Sequence, residues 1–195
     1  MSDVTGVVIA GVGGQGIILA SRLLAETAMD IGLDVKVSEV HGMSQRGGSV
    51  ITYVRYGRKV YAPLVEVAEA DYLISFECLE TARWLSMLKD GGTIVMNSQQ
   101  IAPSTVLANQ AVYPSDISAR LNEITDISVF EIDALRIAKD SGFIRAANVA
   151  LMGAFAAVSN LPYESLEKSL ERILEGRRLE ENMFCFRKGY ESVRK

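Results

Sequence analysis

The stretch Val4 to Gly16, which reads VTGVVIAGVGGQG, decides the fold class. Its first seven residues are rich in β-branched side chains and predict a short strand. The glycines that follow satisfy the pattern GxGxxG. An apolar helical periodicity then begins at Ile17 and stops before Gly32, a residue suited to the end of a helix. With Val35 to Val40 as a second strand, this order is the opening of an α/β fold.

The regular alternation of strands and helices stops after the second strand. A polar, glycine-rich stretch leads directly into Ser49 to Tyr56, which reads SVITYVRY and predicts a third strand with no helix before it. Gly57 and Arg58 predict a turn, and Lys59 to Tyr61 predicts a returning strand. We therefore expect antiparallel pairing beside the parallel strands.

Strands and helices alternate again through the middle of the chain. Further strands are expected at Asp71 to Phe76, Thr93 to Met96, Val106 to Val112 and Ile127 to Ile132, with a turn at Asp90 to Gly92, and helices at Leu79 to Leu88, after Pro114 to Asp116 and at Ala134 to Lys139. Asn148 to Val158 is apolar on every side and predicts a buried helix. The expected fold is a three-layer α/β/α domain over residues 1–195. It has a mixed, mostly parallel sheet, a Rossmann-like opening and a helical C-terminal region over about 146–195.

Composition narrows the function classes. The chain has 195 residues, 49% of them hydrophobic and 23% charged, which are globular values. The net charge of −4 makes a general nucleic-acid-binding surface unexpected. The longest uncharged stretch, Gly91 to Ser115, holds several amides and two prolines and predicts no membrane span. The two cysteines, Cys78 and Cys185, lie far apart and form no CxxC pair, so we expect no iron–sulfur or structural zinc site on this chain alone. The apolar start without basic residues is unlike a secretory signal, so we expect a cytoplasmic location and free thiols.

The glycine loop is the first candidate binding element. Its residues are Gly11, Gly13, Gly14, Gln15 and Gly16. Glycines let backbone amides approach a ligand, and the start of a helix offers N–H groups to an anion. Glu39, near the end of the second strand, could hold a ribose hydroxyl of a dinucleotide. The other interpretation is that the glycines only allow a tight turn and close packing of the helix on the sheet. A nucleotide-triphosphate loop is excluded, because no Lys-Ser/Thr follows the glycines.

A second polar loop should lie at the same edge of the sheet. Its candidate residues are His41, Gly42, Ser44, Gln45, Arg46, Gly47, Gly48 and Ser49. Arg46 could grip a carboxylate or phosphate. The loop could equally lead into a hairpin with its polar groups bonded to backbone, or face a partner protein. For His41, the chain's one histidine, a structural or interface role is favoured over acid–base catalysis.

Other polar and aromatic residues have simpler interpretations. Asn148, close to Arg145, is expected to satisfy buried backbone or cap the apolar helix, with a ligand contact as the alternative. Cys78 is expected to be a packed thiol, because no histidine is near it in sequence. Three aromatic residues are expected in the core or at an interface: Trp84, Phe155 and Phe184.

Several motifs together resemble a known family. GVGGQG, then VSEVHGMSQRGGSV and VRYG, resemble the small subunit of indolepyruvate:ferredoxin oxidoreductase, the gamma subunit or domain of the wider 2-oxoacid:acceptor oxidoreductase family. The resemblance continues through Ala70 to Glu80, Leu88 to Asn97, Ala146 to Ala154 and Asn182 to Gly189. The HGMSQRGG motif favours the indolepyruvate branch.

The resemblance implies a subunit that is not catalytic alone. In the family, a 2-oxo acid, coenzyme A and ferredoxin yield acyl-CoA, carbon dioxide and reduced ferredoxin. Thiamine diphosphate, magnesium and iron–sulfur clusters would sit on a large partner subunit. This chain lacks the GDG…NN pattern of family thiamine sites and has no cysteine set for a cluster. Ferredoxin would be met through the complex, and the isolated chain could self-associate through its partner surface.

Two other functions stay open at this point. One is an autonomous NAD(P)- or flavin-dependent oxidoreductase that uses the glycine loop and Glu39. The other is a non-enzymatic interaction module. The resemblance places the oxidoreductase subunit ahead of both.

Overall fold

The computed structural model describes residues 4–41 and 48–194, with the backbone alone at His41. The strands are β1 Val4–Val12, β2 Asp34–His41, β3 Ser49–Gly57, β4 Ala70–Ser75, β5 Leu88–Asn97 and β6 Ser128–Ile132. The helices are α1 Ile17–Asp30, α2 Cys78–Trp84, α3 Ser104–Leu107, α4 Ile117–Asn122, α5 Ala134–Asp140, α6 Ala147–Val158, α7 Tyr163–Leu174 and α8 Leu179–Val193. Short 3-10 helices occupy Leu85–Met87 and Ile144–Ala146.

The six strands form one mixed sheet in the order β2-β3-β1-β4-β5-β6. β3 pairs antiparallel with both β1 and β2, whereas β1, β4, β5 and β6 pair in parallel. The mixed, mostly parallel sheet is therefore confirmed. Because β3 is antiparallel to both of its neighbours, β2 runs parallel to β1 but is separated from it by a strand. The carboxyl ends of β1, β2, β4, β5 and β6 all lie at one edge of the sheet.

Helices cover both faces of the sheet, which makes the three-layer α/β/α architecture. One core joins Val7 and Ile9 of β1 to side chains from α1, α5, α6, α7 and α8. A smaller core joins Val8 and Ala10 of β1 to side chains from α2 and α4. Since both faces of β1 are buried, its sequence is continuously apolar rather than alternating.

The C-terminal region is helical, and α6 is its buried centre. Val149 to Phe155 are all fully buried or nearly so, as the all-round apolar sequence predicts. α6 packs on α8 at two glycines. A Cβ on Gly153 would lie 1.9 Å from the Phe186 carbonyl oxygen, and one on Gly189 would lie 1.9 Å from the Ala150 oxygen. The two backbones therefore touch, which a larger residue at either position would prevent.

The expected strand at Lys59 to Tyr61 is wrong. Both edges of β3 are occupied, by β1 and β2, so a returning strand has no free edge to join. The segment instead crosses the end of the sheet in irregular conformation, where the Val60 N–H donates to Asp34 Oδ2 at 2.9 Å.

Two further expectations also differ from the structure. Asp90 to Gly92 is not a separate turn but part of β5, whose pairing with β4 shifts register between Ala70 and Tyr72. Val106 to Val112 is not a strand: α3 ends at Leu107, and Asn109 has a positive φ of 57°. Leu107 and Val112 are strongly exposed, so the apolar residues of this segment have no sheet to pack on.

Among the described helices, none combines the length and apolar character that a membrane crossing requires.

Candidate functional site

The glycine loop ends at the N-terminus of α1. Gly16 precedes the helix with φ of 88°, and Gly14 has φ of 101°, a region that side chains with a Cβ rarely adopt. No side chain caps this helix start among the described residues, and its first turn holds no acidic residue. The N–H groups at this end are therefore available to a negatively charged group.

Gln15 ties the glycine loop to the sheet. Its Oε1 accepts from the Val12 N–H at 2.7 Å, and its Nε2 donates to the Phe76 carbonyl at 2.9 Å. Nε2 also donates to Gln99 Oε1 at 3.1 Å. Both ends of the amide are thus bonded within the chain, so Gln15 shapes the loop and has little left to offer a ligand.

Asn148 meets the glycine loop from across the sheet edge. A Cβ on Gly16 would lie 2.2 Å from Asn148 Nδ2, so glycine is required there for space as well as for its φ. Asn148 Oδ1 accepts from the neighbouring Val149 N–H at 2.9 Å in the first turn of α6. The residue does not cap the helix; that position belongs to Ala146.

A cleft of about 580 Å³ opens between these elements. Its lining residues are Gly14, Gln15, Gly16, Phe76, Asn97, Gln99, Leu135, Ile144, Arg145, Ala147 and Asn148. The N-terminal turns of α1 and α6 and the exposed Arg145 side chain border the same space. Partial positive charge at the start of α1 and the full charge of Arg145 favour an anionic group in the cleft. At the start of α6, the Ala147 and Val149 N–H groups are already bonded, to the Ile144 carbonyl and to Asn148 Oδ1.

Several lining residues lie outside the candidate motifs. Phe76 follows β4, Asn97 is the last residue of β5 and Gln99 lies just beyond it. Asn97 is buried, and its Oδ1 accepts from the Ala134 N–H at 3.1 Å. The signal that could have found them is positional, because ligands in open α/β sheets bind outside the carboxyl ends of the strands. Leu135 and Ile144 add an apolar side to the cleft that only the tertiary fold reveals.

The second polar loop returns to the glycine loop at its far end. The Gly13 N–H donates to the Gly48 carbonyl at 2.9 Å, and Ser49 pairs with Val12 at the end of β1. His41 ends β2 at the same edge of the sheet. Five candidate positions lie outside the described residues: Gly42, Ser44, Gln45, Arg46 and Gly47.

Glu39 is not placed for the ribose contact of a dinucleotide fold. That contact needs the second strand beside the first, whereas β3 lies between β2 and β1 here. The Glu39 side chain is exposed, and its Oε1 lies 3.5 Å from Ser21 Oγ of α1. The structure thus separates Glu39 from the cleft that the glycine loop borders.

The remaining singled-out residues are buried or peripheral. Burial, with smaller contributions from Glu131 and Glu77, raises the pKa of the Cys78 thiol to about 11. Phe155 is fully buried, Trp84 is half-buried and Phe184 is partly exposed. Within residues 4–41 and 48–194, no three His, Cys, Asp or Glu side chains come together as a metal site would require.

Comparison with known proteins gives the family. Residues 6–192 match the model for pyruvate ferredoxin/flavodoxin oxidoreductase. The chain is 36% identical over 192 residues to the indolepyruvate oxidoreductase subunit IorB of Thermococcus kodakarensis, covering 96% of this chain and 95% of that protein. It is similarly 37% identical to the same subunit of Pyrococcus horikoshii, with the same coverage.

A solved structure shares the fold over the whole length. The gamma subunit of keto/oxoacid ferredoxin oxidoreductase from Geobacter sulfurreducens superposes with a TM-score of 0.72 at 22% identity, covering 97% of this chain and 98% of that one. The chain therefore belongs to the pyruvate ferredoxin/flavodoxin oxidoreductase family, as a small subunit of a 2-oxoacid:ferredoxin oxidoreductase.

Proposed function

We propose that this chain completes a coenzyme A-dependent indolepyruvate or aryl-pyruvate:ferredoxin oxidoreductase and is not catalytic alone. The observation that carries the proposal is the cleft, where the N-terminal turns of α1 and α6 meet Arg145. Such a site suits a phosphate group of coenzyme A or an acidic group of the partner. The similarity to two IorB subunits favours the indolepyruvate branch.

The chemistry of the reaction belongs to a large partner subunit in this proposal. Thiamine diphosphate with magnesium would supply the carbanion chemistry there, and iron–sulfur clusters would pass electrons to ferredoxin. The residues of this chain fit neither group, since the cleft is lined by amides, apolar side chains and one arginine. This chain would bind and orient, and it would shield the reacting groups from water.

A cytoplasmic location is part of the same proposal. Cys78 and Cys185 are both free and buried, as suits a reducing compartment.

The first test is purification of the tagged chain from its host without oxygen. A large partner that co-purifies with iron–sulfur absorption and thiamine diphosphate would support the complex. A colourless lone chain at repeated low-salt attempts would count against it. Saturable binding of NAD(P) or a flavin to the isolated chain would instead favour an autonomous oxidoreductase, and a partner fully active without this chain would favour an interaction module.

The second test asks what the cleft does in the assembled enzyme. Arg145→Ala should raise the Michaelis constant for coenzyme A, or the dissociation constant of the partner, by about tenfold, because a charge-assisted contact is lost. Arg46→Ala tests the second loop in the same way. Arg136→Ala is the matched control, since this exposed arginine of α5 does not line the cleft. Unchanged constants in both test variants would contradict the assignment.

A further inference from the structure

Glu80 is a buried carboxylate outside the cleft, and its position in α2 is unusual. Glu77 caps the helix by accepting the Glu80 N–H at 3.0 Å. A glutamate three residues after such a cap commonly bonds back to the cap's own N–H. The Glu80 carboxylate here reaches Ser49 of β3, outside its own helix.

Three side-chain donors reach this carboxylate, Ser49 from β3 and Arg83 and Trp84 from the next turn of α2. Ser49 Oγ donates to Oε2 at 2.5 Å, and the Trp84 indole N–H donates to the same oxygen at 3.3 Å. Arg83 Nε donates to Oε1 at 3.1 Å. Removing a carboxylate from water is costly, and apolar residues often replace such a group without loss of stability. A buried glutamate with three partners therefore suggests a role in holding one particular geometry.

Through its bond to Ser49, the Glu80 carboxylate holds the first residue of β3 in place. Ser49 follows Gly48, whose carbonyl accepts the Gly13 N–H of the glycine loop. The contacts thus run from Glu80 to Ser49, through the backbone to Gly48, and on to Gly13. Gln15 holds the other side of the same loop, through Phe76 and Gln99.

We infer that Glu80 is a positioning residue: through Ser49 and Gly48 it fixes the glycine loop at the geometry that the cleft requires, without touching the cleft. The expected effect of Glu80 on the Michaelis constant for coenzyme A rests on the proposed function. Its effect on the geometry of the loop does not, and the two effects are measured separately.

The first measurement is hydrogen–deuterium exchange in the full-length chain. Ser49→Ala and Glu80→Ala should each speed exchange in the Gly11–Gly16 segment by about tenfold, because a hydrogen bond to a charged group is lost. The double variant should exchange no faster than the more affected single variant, as expected for one shared contact. Glu80→Gln, which keeps an acceptor for Ser49, should restore part of the protection.

Asp71→Asn is the matched control. Like Glu80, this half-buried carboxylate pairs with a cation, Lys89, and it accepts a backbone N–H of β1, from Gly6 at 2.7 Å. It lies at the opposite end of β1, so its loss should leave exchange in the glycine loop unchanged. Trp84 is the chain's one tryptophan, and its fluorescence should shift in Glu80→Ala but not in Asp71→Asn.

The second measurement uses the enzyme assembled with its partner. Ser49→Ala should raise the Michaelis constant for coenzyme A several-fold while kcat changes little, and Asp71→Asn should change neither. Loop exchange in Ser49→Ala equal to that of Asp71→Asn overturns the positioning role, even if Glu80→Ala fails to fold. Faster loop exchange with an unchanged Michaelis constant supports the positioning role and contradicts the assignment of the cleft to coenzyme A.

Discussion

Glycine is required at the α6–α8 contact and at the carboxyl edge of the sheet, but for different reasons. At Gly153 and Gly189 the requirement is steric, because each faces a carbonyl oxygen of the other helix at a distance that excludes a Cβ. At Gly14 the requirement is conformational: φ is 101°, and a Cβ there would meet nothing within 4 Å. Gly16 combines both requirements.

The glycines of the α6–α8 contact serve the packing of two helices, whereas Gly14 and Gly16 serve the local geometry of a loop. The α6–α8 glycines stabilise the whole domain, because the contact lies within the main core. Gly14 and Gly16 shape one edge of the sheet, away from the α6–α8 contact. Substitutions in the first region should therefore act on global stability, and those in the second should act mainly on the cleft.

The largest effect should come from Gly153→Ala. The new methyl group would force α6 and α8 apart, which we expect to cost about 3 kcal/mol or more. Gly14→Ala should cost about 1–2 kcal/mol, since only the left-handed backbone conformation is penalised. Urea denaturation of both variants measures the difference, and a larger loss in Gly14→Ala would break the distinction between the two regions.

Gly16→Ala should show an intermediate effect that depends on Asn148. The added Cβ would displace the Asn148 amide, so the two positions should be energetically coupled by about 1 kcal/mol. A double-mutant cycle with Asn148→Ala measures the coupling by urea denaturation. The double variant should retain the cost of the positive φ and lose the cost of the clash. Strict additivity would show that the contact carries no energy.

Each region also contains one cysteine, and both thiols should be poorly reactive. With a pKa of about 11, Cys78 would be roughly one thousandth thiolate at pH 8. Burial likewise raises the pKa of Cys185 on α8. Modification by iodoacetamide at pH 8 should be slow in the folded chain and fast in urea.

The same raised pKa has a consequence for stability. Because the folded state favours the protonated thiol, its stabilising contribution is complete below the ordinary thiol pKa and is lost as the pH rises towards 11. Cys78→Ser should flatten this alkaline loss in urea titrations. Rapid labelling of native Cys78 at pH 8 would contradict the raised pKa on which both the slow modification and the alkaline loss of stability depend.

The smallest effect is expected on the surface between α1 and α7. Arg172 donates to Asp30 at 2.6 Å and to Glu26 at 3.2 Å; Arg172 and Asp30 are exposed, so salt and water weaken their attraction. The Arg172 guanidinium holds the pKa of Asp30 below its ordinary value. The stabilising contribution is present above the ordinary carboxyl pKa and is lost as pH falls through the lowered value. Arg172→Met should raise the Asp30 pKa in an NMR titration, with little change in melting temperature.

Local sequence patterns predicted the parts of the fold that depend on neighbours in the chain. β1, α1 and the buried α6 follow from apolar periodicity and from the glycines that interrupt it. The returning strand at Lys59 to Tyr61 was wrong because strand pairing depends on which edges remain free. Of the residues that line the cleft, the sequence pointed to the glycine loop and, as an alternative role, to Asn148. Phe76, Gln99 and Ile144 join it from other strands and helices, and Glu80 contacts Ser49 across the fold.

The contact between Gly16 and Asn148 has a consequence for synthesis on the ribosome. Gly16 leaves the exit tunnel early, whereas Asn148 is translated only after all six strands. The cleft therefore does not exist in a nascent chain that has already made its glycine loop. A partner or ligand that recognises the complete cleft would bind only after α6 has been translated, so assembly would wait for the helices that follow the sheet.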